Sequence, residues 1–576
     1  MKQGKVRTFT MIQNDLSRRA VIGRKQNRGF SPTAEGSFRI ENMRILADGA
    51  AAVREGFAYR CTLPAAPRAM LGADEKRFYV IAGSGFYLTD TETGESTLIS
   101  EVNTSAGGAA IFRYGGRVYV LDGDDMWLYG DGGLTPEAGY VPLYGRRWDP
   151  TACGSVNEAP NLMTRKIRIN YRISEPPARL VTGIAAAAVE SFELNGKPVT
   201  AADGVTWSLD GDGCRIGVTG LKSDDSVTVC LTLAESALDR TLLASCTGAA
   251  VINDGKTARI CCFGGTDPAE IFVSSPTSCT AGGENADGLY FPVDGILKTG
   301  DGGETVMAVG NCGGRTLVFT AEGTYALSCA GSRVPSVKPV GGIGGILAPG
   351  CAAASADTVA GVGGDGIYIG DAAGNGRPVS DDGIDGYRIA CIRSVCFCRR
   401  HGEMWFCDPH DPRGRVLVYS TAGGCFCLFC DIYADSLFAL GGRIGFLRGK
   451  DVYLFAPALM YDIEPDGSSD ESRTPVFGFA ESPFSDLGMP GRTKRIQYAV
   501  PDVRDGNAEM TLTADNGRSA RIVFHGCGCA LPDMRGRPMG RAARANIGPF
   551  IGMRYRIAVT DMTRPRIYGA TVAVRK

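Results

Sequence analysis

The chain has 576 residues, 61 Lys and Arg against 62 Asp and Glu, a formal net charge of −1, and 44% hydrophobic residues. That balance excludes a disordered chain, which is poor in apolar side chains, and a strongly basic whole-protein footprint for nucleic-acid phosphates. The 79 Gly and 29 Pro ask for many tight turns between short strands, and the length exceeds what one core holds, so about two to four domains are expected.

The first residues, 1–13, carry two lysines and an arginine but no continuous apolar run, so a cleaved secretory signal is not expected. No stretch approaches the roughly eighteen apolar residues of a membrane span, and the longest candidate, residues 180–189, is short and Ala-rich. A soluble chain follows, and its 20 cysteines read as reduced, buried or half-buried thiols.

Residues 1–60 read as an N-terminal arm and the entry strands that lead into the first blade. Beyond it one unit keeps returning: a β-rich run, a Gly-containing or acidic turn, and a second run, usually with an aromatic. It occurs at residues 78–88, 118–129, 316–327, 359–369, 403–419 and 444–455. Such turn residues between alternating strands predict hairpins. Their spacing of roughly 40 to 45 residues matches four-stranded blades, so 61–164 and 241–460 are expected to form a β-propeller of six to seven blades. One gap is too long. Residues 165–240 hold short alternating strands of their own and predict an inserted immunoglobulin-like β-sandwich. The hairpin rhythm stops around 457–475, and residues 475–576 predict a C-terminal β-sandwich. Within 492–576, sixteen Lys and Arg face six Asp and Glu, an asymmetry suited to an acidic partner.

Few residues are equipped for chemistry. The 3 histidines, His401, His410 and His525, leave little room for a Ser-His-Asp or His-metal scheme. Cys396/Cys398, Cys425/Cys427 and Cys527/Cys529 place thiols at i, i+2 on one strand face, which is not zinc-knuckle spacing. Asp203-Gly204-Val205-Thr206-Trp207 is similar to a sialidase Asp-box but lacks the spacer between Asp and Gly. The pairs Gly341-Gly342 and Gly344-Gly345 are no phosphate loop and are expected in turns. The acidic pairs Asp124-Asp125, Asp224-Asp225 and Asp381-Asp382 are also expected in turns, binding their own backbone. No catalytic, cofactor-binding or metal-binding residue is therefore assigned, no cofactor is expected, and the chain is not expected to be an enzyme.

Residues Gly36-Ser37-Phe38-Arg39-Ile40-Glu41-Asn42-Met43-Arg44-Ile45, followed by Ala52-Val53-Arg54-Glu55-Gly56-Phe57, resemble the opening of bacteriophage tail and head-to-tail connector propellers. There a strand bearing an Asn is followed by an Arg-x-Gly turn into the first blade. Cys262-Phe263-Gly264-Gly265, Glu270-Ile271-Phe272-Val273-Ser274-Ser275-Pro276 and Leu289-Tyr290-Phe291-Pro292 are similar to that family's strand, Ser-x-Pro and Tyr-Phe-Pro pattern. Arg564-Pro565-Arg566-Ile567-Tyr568-Gly569 resembles the last strand of its appended sandwich; the inserted sandwich departs from the pattern. The resemblance implies a structural component of a tailed-phage or prophage virion, of the tail nozzle, adaptor or stabilisation type. Its partners would be other virion tail or neck proteins within a ring-forming homo-oligomer, without sequence-specific nucleic-acid contact or membrane. It would be found in the virion, and in the host cytoplasm during assembly. The alternative is a glycan-binding or glycan-cleaving propeller.

Overall fold

Glycine-centred hairpins set the architecture. Gly115 and Gly116, at φ 57° and 79°, make the two-residue turn that folds Arg117–Leu121 back on Ala110–Tyr114, a conformation that a Cβ would oppose. The computed structural model describes residues 6–11, 39–176, 179–234, 240–253, 258–276, 288–329, 335–371, 373, 375–378, 387–465, 471–487, 489–524, 531–532, 538–539 and 543–575. His525, Cys527, Cys529, Asp381, Asp382 and Gly36 to Phe38 lie outside them.

The described strands form an all-β molecule whose middle is a β-propeller. Five four-stranded antiparallel sheets lie at residues 67–101, 110–136, 248–298, 306–344 and 352–378, and a sixth blade, 394–429, is four antiparallel strands of a larger sheet. A seventh combines Ser436–Leu440, Arg443–Arg448 and Asp451–Phe455 with Phe57–Thr62 as its fourth strand. The first strands of these sheets neighbour one another in a closed circuit: Pro67–Gly72, Ala110–Tyr114, Gly248–Asn253, Val306–Cys312, Ala352–Ala354, Ser394–Cys398, Ser436–Leu440, and back to Pro67–Gly72. Each blade is covered on both faces by its neighbours, so Glu403–Cys407 and Cys425–Phe429 are buried along their whole length. Each large apolar side chain hidden there, such as Phe406 or Phe426, contributes about 2–3 kcal/mol.

The insert is a two-sheet sandwich. Leu143–Trp148, Lys166–Arg172, Ser226–Leu233, Ala186–Leu194 and Lys197–Pro198 form one sheet, and Arg179–Val181, Arg215–Thr219 and Thr206–Leu209 the other. Strict alternation in Lys166–Arg172 and Ser226–Leu233 sends Ile167, Ile169, Tyr171, Val227, Val229 and Leu231 into the core. The sheet starts at Leu143, upstream of the 165 read from the sequence. Its first strand pairs in parallel with Lys166–Arg172 through two register shifts, and Arg147 has φ 54°, so the strand lacks the alternation by which a strand is recognised.

The terminal sandwich draws on both ends of the chain. One of its sheets orders Arg39–Glu41, Phe479–Glu481, Met553–Ala558, Ala508–Ala514 and Ser519–Phe524. Through Arg39–Glu41 this sheet is continuous with Cys425–Phe429, the last strand of the sixth blade. The other sheet orders Met43–Ile45, Ala51–Val53, Arg566–Arg575, Lys494–Arg504 and Ala543–Phe550, with Val6–Met11 also paired to Arg566–Arg575. The strands between residues 39 and 62 are thus shared between sandwich and ring. The stretch around 457–475 is no break either: Tyr461–Pro465 and Glu471–Pro475 form a hairpin that extends the seventh blade beyond Phe57–Thr62. Gly341, Gly342 and Gly344, expected in turns, belong to the strand Ser336–Gly344. Smallness matters there, because a Cβ on Gly344 would touch the Tyr368 hydroxyl at 2.9 Å.

Candidate functional site: the buried joint between ring and sandwich

The residues of the opening motif converge on one place. Asn42 sits between Arg39–Glu41 and Met43–Ile45 at φ 51°, a left-handed conformation that Asn tolerates better than most side chains. Its Oδ1 accepts from the Cys430 backbone N–H at 2.8 Å and from Arg54 Nε at 3.0 Å. Arg54, 1% exposed, places Nη1 and Nη2 on the two carboxylate oxygens of Asp462 at 2.9 and 2.8 Å. The remaining protons go to the carbonyls of Glu55 at 3.0 Å and Cys430 at 3.1 Å, so the guanidinium is fully spent. Asp462 also accepts from the Phe57 N–H at 3.1 Å, and the guanidinium lies over Phe57 and Phe455. Gly56 lets the extended hairpin approach, since a Cβ there would stand 2.0 Å from the Tyr461 carbonyl oxygen.

A second buried cation lies beside the first. Arg44, 4% exposed, pairs with Glu55 at 2.7 Å and with Glu403 at 3.5 Å, and Glu403 accepts from Trp405 Nε1 at 3.0 Å. His401 Nε2 meets the other oxygen of Glu55 at 2.7 Å. Burial by itself would push the Glu55 carboxyl up, but the hydrogen bond from His401 and the charges of Arg44 and His401 outweigh it and hold the group at about 2. Burial opposes the charge of Arg44, and Glu403 and Glu55 overcome that, leaving its pKa raised. Arg564, from the terminal segment that carries the last motif, donates to the carbonyls of Pro457 and Leu459. The cavity among Arg44, Glu55, Cys398, His401, Trp405 and Phe455 measures about 10 Å³, room for about one water. The site therefore works as a charge-balanced clamp between the motif strands, blades six and seven, and the terminal sandwich.

The Tyr-Phe-Pro segment anchors the insert in the same manner. Asn161, fully buried, donates to the carbonyls of Tyr140 and Leu289 at 2.8 Å each and accepts from the N–H groups of Phe291 and Met163. Ser274 Oγ accepts from Ile260 N–H at 2.7 Å, and Tyr290 donates its hydroxyl to the Ala159 carbonyl.

The other residues singled out in the sequence serve the framework. His410 is exposed, and its backbone N–H donates to the Asp408 carboxylate at 2.8 Å. Cys425 and Cys427 are buried and hydrogen-bonded to each other, which together with burial pushes the Cys427 thiol well up. Cys398 faces the joint, and burial raises its thiol to about 11. No group of three His, Cys, Asp or Glu among the described residues is arranged to hold a metal. The Asp203 carboxylate caps a single turn by accepting from Thr200, and Trp207 stacks on the buried Phe192 at 4.9 Å between ring centroids. Asp125 pairs with Arg240 at 2.7 Å, Asp124 accepts from Asn103, and Asp225 accepts from the Lys222 N–H. Sequence reading missed Arg44, Glu403 and Asp462 as members of the joint; the available signal was a charge set among apolar neighbours, as in Met43-Arg44-Ile45 and Glu403-Met404-Trp405.

Sheets and joint together define a β-propeller carrying two grafted sandwiches. No protein-family model matches the chain, and no curated protein matches it. Among solved structures it is similar to the Pan2 WD40 domain of Neurospora crassa, at 8% identity and TM-score 0.36, covering 71% of this chain and 96% of that one. It is also similar to YCF48 bound to D1 peptide, at 9% identity and TM-score 0.34 over 70% of this chain and 96% of that one. A third is the computationally designed Ika8 protein, at 11% and 0.34 over 70% and 100%. Likenesses of this order say nothing of activity or partner.

Proposed function

We propose that the chain is a structural component of a tailed-phage or prophage virion, part of the tail or head-tail connector. It would act through protein–protein contacts in a ring-forming homo-oligomer. The supporting observation is the joint. The residues carrying the resemblance to tail and connector propellers, Asn42, Arg54, Gly56 and Arg564, build or brace the contacts that weld ring to sandwich. A particle component under mechanical load needs its domains held at fixed angles, and the one sheet that runs from the sixth blade into the sandwich without interruption supplies that stiffness. The partners would be neighbouring tail or neck proteins.

The test is electron microscopy of purified particles with this chain labelled. A ring of label at the tail or neck is the expected result, and particles that lack the chain would overturn the reading. A glycan array with a hydrolysis assay, run on the same protein, is expected to show neither retention nor cleavage.

A further inference from the structure

At one end of the terminal sandwich two hairpin turns meet at Thr493. Together Thr493, Asp515, Asn516, Pro549, Phe550 and Ile551 line an open groove of about 390 Å³. Its floor is apolar: Phe550 is buried, while Ile551 is 39% exposed. The one carboxylate in the lining is already committed, since Asp515 accepts from the N–H groups of Ile551 at 3.0 Å and Gly552 at 2.8 Å.

The rim is cationic. Arg518 donates to the Gly548 carbonyl at 2.6 Å beside Pro549, the Arg495 side chain lies against Gly548, and Arg492 immediately precedes Thr493. All three are exposed, and none has a carboxylate partner among the described residues. Beneath them Lys494 is buried with its ammonium on the carbonyls of Arg492 and Ile551, at 2.9 and 2.7 Å. Among the described residues the acids that face Lys494 are Asp486 and Asp515, so four described cations stand against two anions. An apolar floor under exposed guanidiniums is the complement of an acidic peptide with an apolar anchor: carboxylates take bidentate guanidinium contacts, and the anchor supplies desolvated area. A nucleic-acid path would instead need cations strung along a backbone.

We propose that this groove docks an acidic segment of a partner protein, its apolar or aromatic side chain lying over Pro549 and Ile551 and its flanking carboxylates on Arg495 and Arg518. The proposal does not depend on the virion reading.

The test uses the full chain and three fluorescein-labelled probes: a peptide of glutamates around a central phenylalanine, the same peptide with glutamine for glutamate, and an oligothymidine. Fluorescence anisotropy is expected to show the acidic peptide binding most tightly. Arg495→Glu with Arg518→Glu is expected to weaken it by about tenfold or more, a loss of about 1.4 kcal/mol or more. Ile551→Ser is expected to weaken it as well, and Lys197→Glu on the insert to leave it unchanged. Melting curves identify any variant that fails to fold, and Ile551→Ser then carries the test. The proposal is overturned if the glutamine peptide binds equally, if binding survives the double reversal in folded protein, or if oligothymidine binds as tightly.

Discussion

Arg54 and Asp462 face each other through two parallel hydrogen bonds, although 408 positions separate them in the chain. The pair fastens the motif turn to the hairpin that extends the last blade. Both side chains are buried, so loss of one partner strands a charge.

Asp462→Ala is therefore expected to lower stability by about 3–5 kcal/mol, the usual cost of an orphaned buried charge. The double variant Arg54→Met with Asp462→Leu removes both charges and should cost less than the single change. Denaturant unfolding, followed by the fluorescence of Trp405 in the joint, compares the two. A double variant as damaged as the single one would contradict this account.

Gly56→Ala places a methyl group where the Tyr461 carbonyl already stands. The carbonyl is main chain and cannot swing aside, so overpacking is expected to cost about 1–3 kcal/mol and to open Phe57–Thr62 to protease. Gly115→Ala is the comparison. That glycine has open space around it but φ 57°, so only backbone strain of about 1 kcal/mol is expected, confined to its own turn.

The joint should loosen in acid. Glu55 titrates near 4.5 in an unfolded chain and at about 2 in the joint, so its carboxylate stabilises the fold fully above pH 4.5. That stability drains away as the pH falls from 4.5 towards 2, and its full size is on the order of 3 kcal/mol. Unfolding free energies measured across this window should fall steeply in the parent chain. Glu55→Gln, less stable at neutral pH, should show a flatter decline; parallel curves would rule out Glu55 as the group responsible.

Thiol reactivity should sort by burial. Burial pushes Cys246, Cys407 and Cys430 up to about 12, leaving essentially no thiolate near neutral pH. Cys153, Cys214, Cys230 and Cys391 are only partly covered. Pulsed alkylation read by mass spectrometry is expected to label this second group first, and the first group only with global unfolding.

Local signals carried the blades and failed at the joint. The hairpin of Glu403–Cys407 and Val416–Ser420 is readable because both strands and the turn lie within a short window. The pairing of Phe57–Thr62 with Asp451–Phe455 leaves no such trace, since nothing near Phe57 names its distant partner. Leu143–Trp148 escaped for another reason, its alternation being broken by a bulged, parallel pairing. Asn42 and Arg54 belong to a recognisable motif, whereas Asp462 lies in a segment rich in Asp, Ser and Pro where the hairpin rhythm stops. The histidine that proved important, His401, is one whose role depends on a glutamate 346 positions away.

The seventh blade also has a history built into it. Thr62 bonds Asp451 across 389 positions, so the strand made early by the ribosome has to wait for nearly the whole ring to be synthesised. At roughly 5–20 residues per second that delay is about 20–80 s, during which Phe57–Thr62 is an unpaired edge rich in aromatics. Synthesis through Asp451–Phe455, rather than local folding, is thus the step that seals the ring, and a ribosome stalled before residue 451 releases a chain whose Phe57–Thr62 strand lacks this partner.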